Sequence, residues 1–180
     1  VRFDQTTGEC WVFTYKEGIL SAVAHDLKIR VGVWELTVTR EGATGSVSGR
    51  FDPASLRVET AMRDGREAPS LLGAKDRAKI EETIRSTVLT VKKHPEIRFA
   101  SSALESAGDG GWRVEGELTL ASRRGRIRAE VRPEGDRLVT EVRIHQPDFG
   151  IKPYSAMLGA LRIKPEVLVR LVVPAPEAAG

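Results

Sequence analysis

Residues 76–99 read DRAKIEETIRSTVLTVKKHPEIRF, a helix-like run that breaks at Lys93-His94-Pro95 and returns to extended chain at Glu96-Ile97-Arg98-Phe99. Ile80, Ile84 and Val88 recur at every fourth position and share one helical face, while Arg77, Lys79, Glu81, Glu82 and Arg85 lie largely on the rest of the turn. Such a stripe is made to pack on an apolar surface, and full burial of the three side chains would contribute roughly 1.5–3 kcal/mol each. Asp76 is placed to cap the first turn, and Pro95 lacks the N–H that a further turn would need. Before and after this stretch the chain reads almost entirely as strands. A single amphipathic helix in the middle of a strand-rich chain is expected to be a lid or plug.

Outward from the helix the strands are read by their period of two. Trp112, Val114, Gly116, Leu118 and Leu120 alternate with Arg113, Glu115, Glu117 and Thr119, preceded by Ile97, Phe99, Ser101 and Ala103 and joined to them by a turn at Gly108-Asp109-Gly110-Gly111. Ile127, Ala129 and Val131 oppose Arg126, Arg128, Glu130 and Arg132, and Pro133-Glu134-Gly135-Asp136 turns the chain into Leu138, Thr140, Val142 and Ile144. On the N-terminal side, Cys10 to Tyr15 forms a strand apolar on both faces. Lys28 to Thr39 changes phase at Val33-Trp34, which predicts a bulge or strong bend. Ser46 to Phe51 is a short strand; Leu56, Val58, Thr60 and Met62 alternate with Arg57, Glu59, Ala61 and Arg63; Val167 to Val173 is the last strand. The long connection from Pro147 to Pro165 carries Phe149, Tyr154 and Leu158 and is too apolar for a solvated loop, so it is expected to fold across an end of the sheet with a short helical turn.

Short strands and tight turns imply an antiparallel meander, and about nine strands with exposed edges would be most economically arranged as a closed barrel. A barrel of about eight strands has room for side chains or one small ligand. The expectation is an all-β protein with one inserted helix, a single domain over residues 1–173 and a disordered tail over 174–180. At 180 residues, 41% hydrophobic and 29% charged, the chain suits one globular core, and no run is long and apolar enough to cross a bilayer as a helix. A net charge of +3 is too small to name nucleic acid as a partner. Arg123, Arg124, Arg126, Arg128 and Arg132 mostly occupy the wet face of one strand without aromatic stacking residues, which reads as solvated surface. Cys10 stands alone, so neither an intrachain disulfide nor a thiolate metal cluster is expected. A cytoplasmic location is favoured for the chain as given, and a periplasmic one if a leader has been trimmed.

The three histidines carry little chemistry by spacing, and no metal site is expected. His25-Asp26 could orient an imidazole for a small hydrolase or isomerase, with a structural hydrogen-bonding role as the plainer reading. His94 is placed to answer carbonyls freed at the helix end, and His145 ends a strand. A ligand-free interaction module with a filled barrel is a third reading.

The order Ser48-Gly49-Arg50-Phe51, central helix, Lys93-His94-Pro95-Glu96-Ile97-Arg98-Phe99, Val114-Glu115-Gly116-Glu117-Leu118-Thr119-Leu120, then Asp148-Phe149-Gly150-Ile151 resembles the YceI family of lipocalin-like proteins over roughly Phe13 to Val173. The resemblance implies an extended antiparallel barrel holding a polyisoprenoid or quinone-type lipid, with no enzymatic activity. Phe99, Trp112, Val114, Leu118, Leu120, Val142 and Ile144 would then line the cavity, and Ile80, Ile84, Phe149, Tyr154 and Leu158 would close or gate it. The partner implied is an apolar small molecule; a homodimer stays open. Residues 84–89 contain no aromatic side chain where family members commonly have an aromatic-rich acidic segment, which points to a divergent branch.

Overall fold

The computed structural model describes residues 1–19, 24–41 and 44–175. Eight strands precede the helix: β1 (Arg2–Asp4), β2 (Glu9–Thr14), β3 (Lys16–Glu17), β4 (Asp26–Val31), β5 (Trp34–Glu41), β6 (Thr44–Phe51), β7 (Leu56–Arg63) and β8 (Arg66–Glu67). Helix α1 (Ala74–Thr83) runs directly into a π-helical segment at Ile84–Val88. Seven strands follow: β9 (Ile97–Gly108), β10 (Gly111–Leu120), β11 (Arg123–Glu134), β12 (Arg137–His145), β13 (Ser155–Ala156), β14 (Leu161–Ile163) and β15 (Glu166–Pro174). Twelve of them make one antiparallel sheet in the order β1-β5-β6-β9-β10-β11-β12-β15-β2-β4-β7-β8, and β13, β14 and β3 make a small second sheet.

The large sheet curls into a half-barrel whose ends, β1 and β8, are not joined by a ladder. The expected closed barrel of about eight strands is corrected on this point. The reason lies at Gly32-Val33, where the chain leaves β4 and bends sharply into β5. Gly32 N donates to Ser55 O at 3.2 Å, Asp52 N to Val33 O at 3.0 Å and Val33 N to Ser55 Oγ at 2.9 Å. A Cβ on Gly32 would stand 2.9 Å from the Ser55 carbonyl oxygen, so close approach requires glycine there. The phase change at Val33-Trp34 is therefore a corner, and local hydrogen bonds replace a continuous ladder.

Helix α1 begins at the N-cap Gly73, with no side-chain cap, and Asp76 falls within the first turn. Its end also differs from expectation. The backbone widens to i→i+5 bonding, with Leu89 N donating to Ile84 O at 2.9 Å, and Thr90 then takes a positive φ of 44°, so the helix stops well before Pro95. The helix lies along β7, on the side that β8 pairs only at Met62 and Arg63, where Val58 N donates to Glu81 Oε1 at 2.8 Å and Arg77 Nη1 donates to Glu59 O at 3.2 Å. Ile80 and Ile84 pack on the cluster of Leu27, Ile29, Val31, Trp34 and Val58, while Val88 packs on Leu118, Leu120, Phe149 and Ile151. Leu89 touches both clusters, so the helix ties the two parts of the core together.

Local backbone chemistry explains the meander. Asp109 and Gly110 hold φ values of 48° and 76° in the two-residue turn between β9 and β10, as the Asp-Gly pair predicts. Ala121 and Ser122 hold 49° and 63° between β10 and β11, a similar turn from residues that do not advertise it. In β7 the alternation slips, since Thr60 and Ala61 are both buried. That slip lies near a register shift at Lys28/Ile29 in the partner strand β4. Pro174 belongs to β15, and Ala175 N donates to Asp136 O at 2.8 Å, so these two residues of the expected tail are part of the fold; residues 176–180 lie outside those described.

Candidate functional site

The curled sheet encloses a cavity of about 690 Å³ whose wall is almost wholly aliphatic and aromatic. Period-two geometry builds it. β12 turns Leu138, Thr140, Val142 and Ile144 inward, and they face Val173, Leu171, Val169 and Val167 across the ladder to β15. From β10 come Trp112, Val114, Leu118 and Leu120, while Gly116 interrupts the row. A Cβ on Gly116 would lie 2.6 Å from the Phe99 ring, so the glycine leaves space for an aromatic side chain supplied by β9. The helix contributes Ile80, Ile84 and Val88 as part of the wall.

Of the residues expected around a ligand, Phe99, Trp112, Val114, Leu118, Leu120, Val142, Ile144, Ile80, Ile84 and Tyr154 all lie on this wall. Phe149 and Leu158 do not. Phe149 is 3% exposed with its ring against Gly125, in the cluster behind Leu118 and Leu120, and Leu158 is fully exposed at 109%. The parity argument missed the opposite wall, made by Cys10 and Val12 of β2 and by Leu27, Ile29 and Val31 of β4. The alternation of Ile29 and Val31 with charged neighbours could have found part of it.

Polar groups on the wall are few. Arg40 places its guanidinium 4.5 Å from the Trp112 ring centroid. Thr14 Oγ1 is buried and has no hydrogen-bond partner among the described residues. Burial pushes the Cys10 thiol from its ordinary value of 9.0 up to about 12, so it is a neutral wall group. His25 also reaches the wall, but its sequence neighbour Asp26 is occupied elsewhere: Asp26 Oδ1 accepts from Lys16 N at 2.8 Å. Among the described residues no hydrogen bond joins His25 to Asp26. The local orienting contact on which the catalytic reading depends is therefore missing. His94 Nδ1 lies 2.8 Å from Ser122 Oγ, linking the segment after the helix to the β10–β11 turn rather than answering helix carbonyls through its ring. His145 Nδ1 lies 3.0 Å from Asp148 Oδ1.

On the outer face, the arginines of β11 meet glutamates of β10. Arg128 Nε lies 3.0 Å from Glu115, Arg124 lies 3.5 Å from Glu117, and Arg126 lies 3.9 Å from Glu115. Cross-strand pairing absorbs much of the apparent basic patch, although such exposed pairs contribute only about 0.2–1 kcal/mol each. No helix among the described residues is long and apolar enough to cross a membrane.

A curled antiparallel sheet around an apolar hollow, with one helix laid against its edge, defines a small β-sheet container. The family follows from comparison: a model of the YceI-like domain matches residues 7–175, and the chain belongs to that family. Among solved structures, BcnA from Burkholderia cenocepacia aligns with a TM-score of 0.65 at 15% identity, covering 96% of this chain and 99% of that one. A polyisoprenoid binding domain from Saccharophagus degradans, described as implicated in plant cell wall breakdown, aligns with a TM-score of 0.59 at 14% identity, covering 94% of each chain. At such identities the likeness is one of fold. No curated protein matches the sequence.

Proposed function

We propose that the protein binds, sequesters or carries a long apolar molecule, of polyisoprenoid or prenyl-quinone type, within the curled sheet and without catalysing a reaction. The observation that carries this reading is the cavity of about 690 Å³ with its nearly unbroken aliphatic and aromatic wall. Small-molecule pockets commonly span about 300–1,000 Å³. An isoprenoid chain needs a dry tube and little directional chemistry, each buried CH₂ contributing about 0.8 kcal/mol. The description of the Saccharophagus degradans domain as polyisoprenoid-binding supports the same ligand class. A filled barrel serving only as an interaction surface fits a cavity of this size less well. Ile80 and Ile84 on the helix and Tyr154 near the C-terminal loop would contact the ligand from the closing side.

Native mass spectrometry and organic extraction of the purified protein test the reading. A lipid-sized adduct should be released, and Val142→Trp, which fills the wall from β12, should abolish it while leaving the fold intact. Protein that purifies free of lipid and takes up no prenyl quinone on incubation would overturn the proposal.

A further inference from the structure

The turn that follows β13 shows an unusual arrangement. Met157, Leu158 and Gly159 hold successive positive φ values of 52°, 56° and 87°. Two of these are not glycine, and the backbone strain there holds two large apolar side chains in solvent, with Met157 66% and Leu158 109% exposed. A third apolar residue joins them. Strand β3 pairs with β14, and at Gly18 a Cβ would stand 2.6 Å from the Ala160 carbonyl oxygen, which sets Ile19, 90% exposed, beside the same turn.

The segment that displays this tip also walls the cavity. Tyr154, Leu161 and Ile163 line the hollow while Met157 and Leu158 point away from it, so the apolar tip sits at the rim of the proposed ligand tube. Charge adds a second constraint. From Lys152 to Lys164 the chain carries Lys152, Arg162 and Lys164 and no acidic residue. Arg162 lies 3.9 Å from Glu17, whereas neither lysine makes an ion pair among the described residues. Apolar side chains set between cations match the layered chemistry of an anionic bilayer, acyl chains beneath phosphate.

We propose that the Met157-Leu158 turn, with Ile19 and the flanking Lys152 and Lys164, docks the rim of the cavity onto an anionic phospholipid surface. The inference rests on the reading of the cavity as a lipid carrier, and adds where a lipid would enter it from the membrane. Docking would join the apolar wall to the acyl layer, sparing the ligand passage through water.

Flotation of the purified protein with vesicles of phosphatidylglycerol and phosphatidylcholine, and with vesicles of phosphatidylcholine alone, tests the proposal. The wild type should float with the anionic vesicles. The double variant Met157→Asp/Leu158→Asp should lose roughly tenfold or more of its partitioning. Lys152→Glu/Lys164→Glu should lose about fivefold for each lysine and most of the salt dependence. None of these residues lines the cavity, so uptake of a water-soluble short-chain prenyl quinone should be unchanged in every variant. That readout separates the two ideas: wild-type protein that ignores the soluble quinone defeats the carrier reading, while vesicle flotation stands or falls independently. If the aspartate variant loses its circular dichroism spectrum, Met157→Ser/Leu158→Ser decides instead. Wild type that floats with neither vesicle, or aspartate and serine variants that float as well as wild type, overturns the docking proposal. So does a dimer split by the same substitutions without vesicle binding, since the partner would then be a second copy of the chain.

Discussion

Cys10 lies on the cavity wall, 2% exposed, and burial pushes its pKa from 9.0 up to about 12. In the unfolded chain the thiol ionises near its ordinary value, while in the folded chain it keeps its proton. Between those two values the unfolded state binds fewer protons, so stability should fall as pH rises, by roughly 1.4 kcal/mol per pH unit at the steepest. Below pH 9 this loss is absent. Urea unfolding of the wild type and Cys10→Ala across the alkaline range should show a flatter profile for the variant; parallel profiles would contradict the burial argument. Residues of this kind divide by how clearly the sequence speaks. Trp112, Val114, Leu118 and Leu120 were legible as one face because charged residues alternate with them. Cys10 and Val12 were not, because Trp11 and Phe13 make β2 apolar on both faces. Trp11 instead packs under cations, with Lys28 Nζ 4.2 Å and the Arg30 guanidinium 5.0 Å from its ring centroid. Leu158 misled for the opposite reason, since apolar content suggested burial and the positive φ places it in water.

The helix was legible as an element through its stripe of Ile80, Ile84 and Val88, which the structure turns to the cavity. What held it in place was not, because the contact that fixes it joins a glutamate to a backbone amide distant in sequence. Glu81 Oε1 accepts from Val58 N, satisfying a donor on the side of β7 that the short ladder to β8 does not reach, and Arg77 reaches the Glu59 carbonyl beside it. Glu81→Ala should therefore destabilise the protein by about 1–3 kcal/mol in urea unfolding and speed ligand exchange. Glu81→Gln retains an acceptor and should remain close to wild type in both measurements. Equal effects of the two substitutions would show that the carboxylate acts by charge, through Arg85 at 3.9 Å, rather than by capping Val58. The helix ends were less readable, since the π-helical turn and the left-handed Thr90 carry no strong residue signal, whereas Pro95 carries a strong one that the chain does not need.

For the whole molecule, the antiparallel meander and most of its turns could be read, but closure could not. Closure depends on β1 and β8, three and two residues long, and on the corner at Gly32-Val33, where a single glycine decides how closely the backbone approaches Ser55. A sheet that meets at a corner can enclose space without a complete ladder, and the cavity depends on that. Filling it should couple to global stability. At a free ligand concentration one hundredfold above Kd, binding to the folded state alone contributes about 2.7 kcal/mol. For a domain of this size, that corresponds to a rise in Tm of roughly 5–10 °C. Scanning calorimetry with a prenyl quinone should show this rise, and it should be lost in Val142→Trp; an unchanged Tm at saturating ligand would contradict occupancy of the cavity.

The three indoles occupy three different environments. Trp11 is stacked beneath cations on the outer face, Trp34 is 3% exposed in the corner core with Nε1 lacking an acceptor among the described residues, and Trp112 stands on the cavity wall under Arg40. The consequence is optical. A quinone ring entering the tube would meet one fluorophore at close range and leave the other two as an internal reference. Emission from the unlabelled chain would thus gauge how full the container is, and Trp112→Phe would silence the gauge without emptying the vessel.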